Sequence, residues 1–145
     1  MKKESVLILG AGLMQSPAIN AARRNGFKTF VIDANPNAES VFLADEFRQI
    51  DLKDKERIFE FASELQKKEN LKAVFTAGTD FSASVSYVCE KLGLCAHSYE
   101  AALNASIKPR MRACFERAGV PSPEYFSFSP AEVGIVCPVS IKYGG

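Results

Sequence analysis

Four short stretches of this chain carry residue types suited to handling a phosphate, a nucleotide or a carboxylate. The first is Gly10-Ala11-Gly12-Leu13-Met14-Gln15, which follows an apolar run and opens a helical one. Glycines there allow a tight turn, and a helix start presents unpaired backbone N–H groups to an anion. The second is Asp33-Ala34-Asn35-Pro36, and its acidic residue closes the next apolar run about twenty residues on, most of a dinucleotide-binding fingerprint. The fingerprint's last glycine lets the helix pack closely on the strand, and here Gln15 stands in its place. The turn is therefore open to three roles: a dinucleotide site, a substrate-facing loop, or a purely structural strand-to-helix connection. The third stretch is Thr76-Ala77-Gly78-Thr79-Asp80. Thr79 and Asp80 suit either a ligand or the cap of the following helix, just as Asp33 and Asn35 suit either a ligand or a turn. A fourth candidate lies near the end, where residues 138–141 lead into Lys142 and then Gly144-Gly145, common parts of a phosphate site. His97, the only histidine, has no cysteine at a metal-ligand spacing and reads as a linker residue, and no Ser-His-Asp set assembles.

The elements that position these residues follow from hydrophobic spacing. Residues 5–9 form a continuous apolar run closed by glycine, the pattern of a buried strand. A helix is predicted over 15–25, with Pro17 tolerated in its first turn and Gly26 as its stop. Strands are predicted over 28–32, 47–50 and 72–76. Between the last two, Ile58, Phe61, Ala62 and Leu65 recur at helical spacing in a helix over 54–68. Val85, Val88, Cys89 and Leu92 repeat that spacing before Gly93. Parallel strands need crossovers, so this alternation predicts a doubly wound α/β unit of parallel strands with helices on its faces. After His97 the rhythm changes to two successive helices, 99–105 and 109–118, joined by Ser106-Ile107-Lys108. Met111, Cys114, Phe115 and Ala118 share one face of the second. Two further strands are predicted over 124–128 and 138–142.

The chain is 145 residues long, 47% apolar and 24% charged, with a formal net charge of +1. That suffices for a sizeable core and makes no electrostatic case for nucleic acid or a membrane surface. No apolar run approaches the roughly 18 residues of a spanning helix, and the stretch after Lys2-Lys3 is too short for a signal peptide. Cys89, Cys95, Cys114 and Cys137 are scattered without a CxxC pair, and a cytoplasmic protein with reduced thiols is expected.

The stretch from Tyr99 to Tyr125 resembles the entry into the ATP-grasp domain of ATP-dependent ligases, through Lys108, Met111, Arg112, Phe115, Ala118-Gly119-Val120-Pro121 and Pro123. Pro138-Val139-Ser140-Ile141-Lys142 resembles the strand that follows in that superfamily. The LGAG start, the Asp33-Ala34-Asn35-Pro36 turn and the Ala77-Gly78-Thr79-Asp80 loop are similar to the domain preceding ATP-grasp in ligases of the carbamoyl-phosphate synthase and biotin carboxylase type. The resemblance covers nearly the whole chain. It implies a Rossmann-like preATP-grasp domain over 1–97, then a helical linker and an incomplete ATP-grasp subdomain over 98–145. It also implies ATP and magnesium as cofactors of the full-length family, with Lys108 and Lys142 contacting ATP at its phosphates and near the adenine. An ammonium is a compact cation suited to a phosphate. Without the resemblance, Lys108 reads as a solvated lysine beside a helix start and Lys142 as a guard on an edge strand. Gly10, Gly12, Gln15, Asp33, Asn35, Thr79 and Asp80 become substrate-side candidates. The chain departs from the pattern at Ile107, where relatives often carry an acidic residue, and at Tyr143. The family's glycine-rich lid and its metal ligands have no counterpart among the 145 residues.

The resulting expectation is the amino-terminal part of a carboxylate–amine or carbamoyl-phosphate-synthase-like ligase that works through an acyl-phosphate and is inactive as these residues alone. Its expected partners are a nucleotide and a small carboxylate substrate, with either a homodimer or a second chain supplying the rest of the ATP-grasp domain. Two other expectations stay open: a non-catalytic α/β module completing a ligase in trans, and a Rossmann-type NAD-binding protein.

Overall fold

The computed structural model describes residues 3–125. Strand β1 (Glu4–Leu9) is buried from Ser5 onward and is followed by a short 3-10 turn, Leu13–Gln15, and helix α1 (Ser16–Arg24). Strand β2 (Lys28–Asp33), a second 3-10 turn (Val41–Leu43) and strand β3 (Glu46–Gln49) come next. Helix α2 (Lys55–Lys68), strand β4 (Asn70–Thr76), and helices α3 (Ser82–Leu92), α4 (Tyr99–Ser106) and α5 (Lys108–Arg117) complete the described chain.

The four strands form one parallel sheet in the order β3-β2-β1-β4. Side chains alternate across a strand, so β1 supplies two cores at once. Leu7 and Leu9 join Phe30 and Ile32 of β2 beneath Ile58, Ala62 and Leu65 of α2 and Val85, Val88 and Cys89 of α3. Val6 and Ile8 join Val31 on the opposite face beneath Ile19 and Ala22 of α1. This is the doubly wound α/β architecture that the apolar runs predict, and β1 and β2 lie at its centre because their residues are apolar on both faces.

The observed ends refine the expected ones. The β3 strand starts one residue earlier, at Glu46, and α5 starts at Lys108, leaving Ile107 alone between the last two helices. Asp54 caps α2 by accepting a hydrogen bond from the Arg57 N–H at 3.1 Å, and Ser98 caps α4 through the Ala101 N–H at 3.2 Å. Neither Thr79 nor Asp80 caps α3. Its N-cap is Phe81, with no side-chain cap; the Thr79 hydroxyl lies 2.6 Å from that of Thr76 and accepts from the Phe81 N–H at 3.5 Å, ahead of the helix. Of the strand predicted over 124–128, Glu124 and Tyr125 are not in a strand, and the rest lies outside the described residues.

Helix α4 is held to the sheet-covering helices by an aromatic clasp. The Tyr99 ring meets that of Tyr87 edge-on, 5.3 Å between centroids. The Lys55 ammonium sits 4.5 and 4.8 Å from the two ring centres and donates to the Tyr99 hydroxyl at 2.9 Å. The Tyr99 N–H donates to Glu90 at 3.0 Å.

At the amino-terminal edge of the sheet, Asp45 accepts hydrogen bonds from the Thr29 N–H (2.8 Å) and hydroxyl (2.9 Å), with Arg23 3.8 Å away. Burial pushes the Asp45 carboxyl up, but the two Thr29 bonds and the nearby guanidinium outweigh it and hold it below the ordinary aspartate value. The folded state thus binds the proton less readily than the unfolded chain. This contribution is complete above the unfolded value and is lost as pH falls from about 4 through the lower folded value. Urea denaturation from pH 7 down to pH 3 should therefore show a steeper acid loss of stability in the parent than in Asp45→Asn.

Candidate functional site

The carboxyl ends of β1, β2 and β4 converge, and their three loops bring together the substrate-side residues predicted from sequence: Gly10, Gly12 and Gln15 after β1, Asp33 and Asn35 after β2, Thr79 and Asp80 after β4. Open α/β sheets bind ligands in the crevice at such strand ends. What each residue does there differs.

Asp33 is half-buried and works on the backbone. Its Oδ2 accepts from the Ala11 N–H at 2.8 Å and its Oδ1 from the Asn35 N–H at 2.9 Å. The carboxylate thus fastens the β1 loop to the end of β2. Asn35 continues the turn by accepting from the Asn37 N–H at 3.0 Å. The turn-forming role of both residues is thus real, and it shapes the loop beside the crevice.

Gln15 is only 3% exposed. Its side chain lies across the glycine turn: a Cβ placed on Gly10 would fall 3.1 Å from Gln15 Cδ, and one on Gly12 would fall 3.2 Å from Oε1. Its Nε2 donates to the carbonyl of Ala77 in the β4 loop. Gln15 is therefore a bolt from the first loop to the third, and it fills space above both glycines that a dinucleotide fingerprint leaves open. Sequence reading flagged Gln15 as a missing glycine; its partner, 62 positions away, carries no local signal.

Several residues that no motif singled out complete the scaffold. The Ser40 N–H donates to the Ala11 carbonyl and the Ser40 hydroxyl to the Gly12 carbonyl, both at 2.8 Å, and the same hydroxyl lies 2.5 Å from that of Ser16. Thr76 donates to the Leu9 carbonyl at 2.8 Å. The polar groups of the loops are largely committed to each other, which makes a rigid frame. Its surface carries Leu13 and Met14, 70% and 68% exposed, and among its exposed polar residues are Asn35, Glu39 and Asp80.

Lys108 is exposed at the first position of α5. Two residues earlier, the Ser106 hydroxyl lies 3.3 Å from that of Ser82, in the first turn of α3 and two residues past Asp80. The α4–α5 junction therefore comes to the same end of the molecule as the three loops. His97 is exposed between α3 and α4. Lys142 lies outside the described residues. Among the described residues no group of His, Cys, Asp and Glu side chains is arranged to hold a metal ion, and no helix is long and apolar enough to cross a membrane.

No protein-family model and no curated protein matches the sequence. Solved structures do. Phosphoribosylglycinamide synthetase from Anaerococcus prevotii superposes with a TM-score of 0.71 at 28% identity over 80% of this chain. The L-amino acid ligase from Bacillus licheniformis gives 0.73 at 15% identity over 99% of it. The biotin carboxylase domain of Hydrogenobacter thermophilus 2-oxoglutarate carboxylase, a dimer in complex with MgADP, ADP and bicarbonate, gives 0.62 at 23% identity over 84%. This chain spans 29%, 35% and 29% of the lengths of those chains, respectively. What it shares with them is the parallel sheet with its flanking helices: the chain carries the amino-terminal, preATP-grasp fold of the ATP-grasp ligases.

Proposed function

We propose that this chain supplies the substrate-side crevice and one edge of the nucleotide site of an ATP-dependent ligase that joins a carboxylate to an amine. In such a reaction ATP activates the carboxylate as an acyl-phosphate, which the amine then attacks. The roles of this chain's own residues are to bind and to orient. The three loops bolted together by Gln15 and Asp33 form a rigid wall for the carboxylate substrate, and Lys108 approaches the nucleotide phosphates. The observation that supports this reading is the Ser82–Ser106 contact, which sets the α4–α5 junction, two residues before Lys108, close to the residues that follow the Thr79-Asp80 loop. A nucleotide phosphate and a carboxylate substrate must meet at one place, and this contact makes that meeting geometrically natural. The exposed Lys108 ammonium suits an ATP phosphate. Among the described residues no set of His, Cys, Asp and Glu side chains is arranged to hold a magnesium ion.

A structural observation also weighs against the dinucleotide alternative. Asp33, the residue that would hold a ribose hydroxyl, spends both oxygens on backbone N–H groups, and Gln15 lies over the glycines that would face a pyrophosphate.

The test is a titration of MgATP into the isotopically labelled full chain, followed by NMR. Shifts should concentrate at residues 106–110 and at the Thr79-Asp80 loop, and Lys108→Ala should weaken the apparent affinity about tenfold, the value of one charge-assisted contact. Shifts confined to other surfaces, or an affinity indifferent to Lys108→Ala, would overturn the assignment. NAD in place of ATP should leave the same signals unmoved.

A further inference from the structure

The crevice has a chemical character that narrows its substrate. Of the large apolar side chains on its frame, Leu13 and Met14 are the ones open to solvent. Met14 packs against the β4 loop: a Cβ on Gly78 would lie 3.2 Å from Met14 Cβ. On the other side of the same ridge, Glu39 Oε2 comes within 4.0 Å of a Cβ placed on Gly12. The ridge is therefore flanked by Glu39 on the β2 side and by the Gly78–Asp80 turn on the β4 side.

Charge on the three loops is of one sign. Residues 10–16, 33–40 and 76–82 contain Asp33, Glu39 and Asp80 and no lysine or arginine. Arg48 and Lys53 lie in and after β3, the outer strand two positions from β1, and the Arg48 guanidinium sits over the Phe61 ring. Lys55 is engaged with Tyr99 and Tyr87, and Lys108 belongs to the nucleotide side in the reading above. A phosphorylated sugar or bicarbonate lodged on these loops would therefore face carboxylates with no counter-ion. Three of the loops' polar side chains that could otherwise solvate an anion are committed: Gln15 to Ala77, Ser40 to Ala11 and Gly12, and Thr76 to Leu9 and Thr79.

Resting on the proposed ligase role, we infer that the carboxylate substrate of this crevice is an amino acid with an apolar side chain, and that Leu13 and Met14 are the residues that select it. The side chain lies against the Leu13–Met14 ridge, where it removes apolar surface from water. The ammonium faces Asp80 or Glu39, which lowers the cost of placing a cation beside an apolar surface and gives an acidic edge its counter-charge. The amino acid's own carboxylate points away from these loops, toward the nucleotide side.

The experiment is an NMR titration of the full chain with L-leucine, N-acetyl-L-leucine and ribose 5-phosphate, read at the methyl groups of Leu13 and Met14 and the backbone amide of Asp80. L-leucine should move all three signals. N-acetyl-L-leucine, which lacks the ammonium, should bind about tenfold more weakly, and ribose 5-phosphate should leave the signals unmoved. Leu13→Ala and Met14→Ala should each weaken L-leucine several-fold while the amide spectrum of the sheet stays intact. Tighter binding of ribose 5-phosphate than of L-leucine overturns the inference, as does an L-leucine affinity that neither substitution changes. If MgATP shifts the start of α5 while L-leucine leaves the loops unmoved, the amino-acid inference falls and the nucleotide role stands; if neither ligand moves its signals, both fall.

Discussion

Gly10→Ala is expected to destabilise the protein by about 3 kcal/mol and to loosen the crevice at the same time. Two independent effects add. Gly10 has φ of +102°, outside the small left-handed region that an alanine tolerates at moderate cost. A methyl group there would also press on Gln15, whose Cδ and Cγ lie at 3.1 and 3.2 Å from the added carbon. A flexible surface glutamine would swing aside. Gln15 is held by its bond to the Ala77 carbonyl, so it can yield only by releasing the bolt between the β1 and β4 loops. Gly26→Ala provides the control, because Gly26 has φ of +84° but nothing within 4 Å of an added Cβ. It should cost about 1 kcal/mol, the backbone effect alone. The difference between the two variants, from chemical denaturation, isolates the steric contribution. Gly10→Ala combined with Gln15→Ala should recover part of it, giving a favourable coupling energy in a double-mutant cycle. Equal losses in the two glycine variants would show that Gln15 moves freely and is no bolt.

How much of this was legible in the sequence depends on how local each cause is. The β1 strand was legible because Val6, Leu7, Ile8 and Leu9 are apolar in succession, and a residue buried on either face needs no partner to declare it. The β3 strand is four residues of mostly exposed Glu46-Phe47-Arg48-Gln49, and its placement one residue early reflects that weaker pattern. Its position outside β2 is set by packing across the sheet and has no sequence marker. The three loops could be recognised as candidates from Gly10, Asp33 and Gly78-Thr79-Asp80. Their internal wiring could not, since it depends on pairs such as Gln15 with Ala77 and Thr76 with Leu9, separated by 62 and 67 positions. The misplaced cap has a different, local origin. Thr79 is a good N-cap residue by type, but its hydroxyl meets Thr76 at the end of β4, and the helix starts behind Phe81 instead. Lys108 is a candidate through the resemblance, whereas the place of the α4–α5 junction follows from α4 running back far enough to set Ser106 against Ser82.

Asp33→Ala is the second change with a large expected effect, about 3 kcal/mol, and its mechanism separates the structural role of this carboxylate from a ligand-binding one. Both oxygens accept backbone N–H bonds, and hydrogen bonds to a charged group are worth about 1.5–3 kcal/mol each. The two are unequal in consequence. Asn35 is exposed, so its released N–H finds water, whereas Ala11 is fully buried and its N–H would be left without a partner. The larger share of the loss should thus lie on the Ala11 side. Asp33→Asn sharpens the point, because its amide keeps one acceptor oxygen and turns an NH2 group toward the other donor. If the oxygen stays on Ala11, the variant should lose about half as much as Asp33→Ala, and the Ala11 amide should keep slow hydrogen exchange. In Asp33→Ala that amide should exchange at least tenfold faster, together with Ser40, whose N–H is bonded to the Ala11 carbonyl. A carboxylate reserved for a ligand would behave in the opposite way: its removal would leave stability and exchange unchanged and alter binding alone. Stability within 0.5 kcal/mol of the parent, roughly the scatter of neutral surface substitutions, would therefore overturn the fastening role and return Asp33 to the ligand side of the crevice.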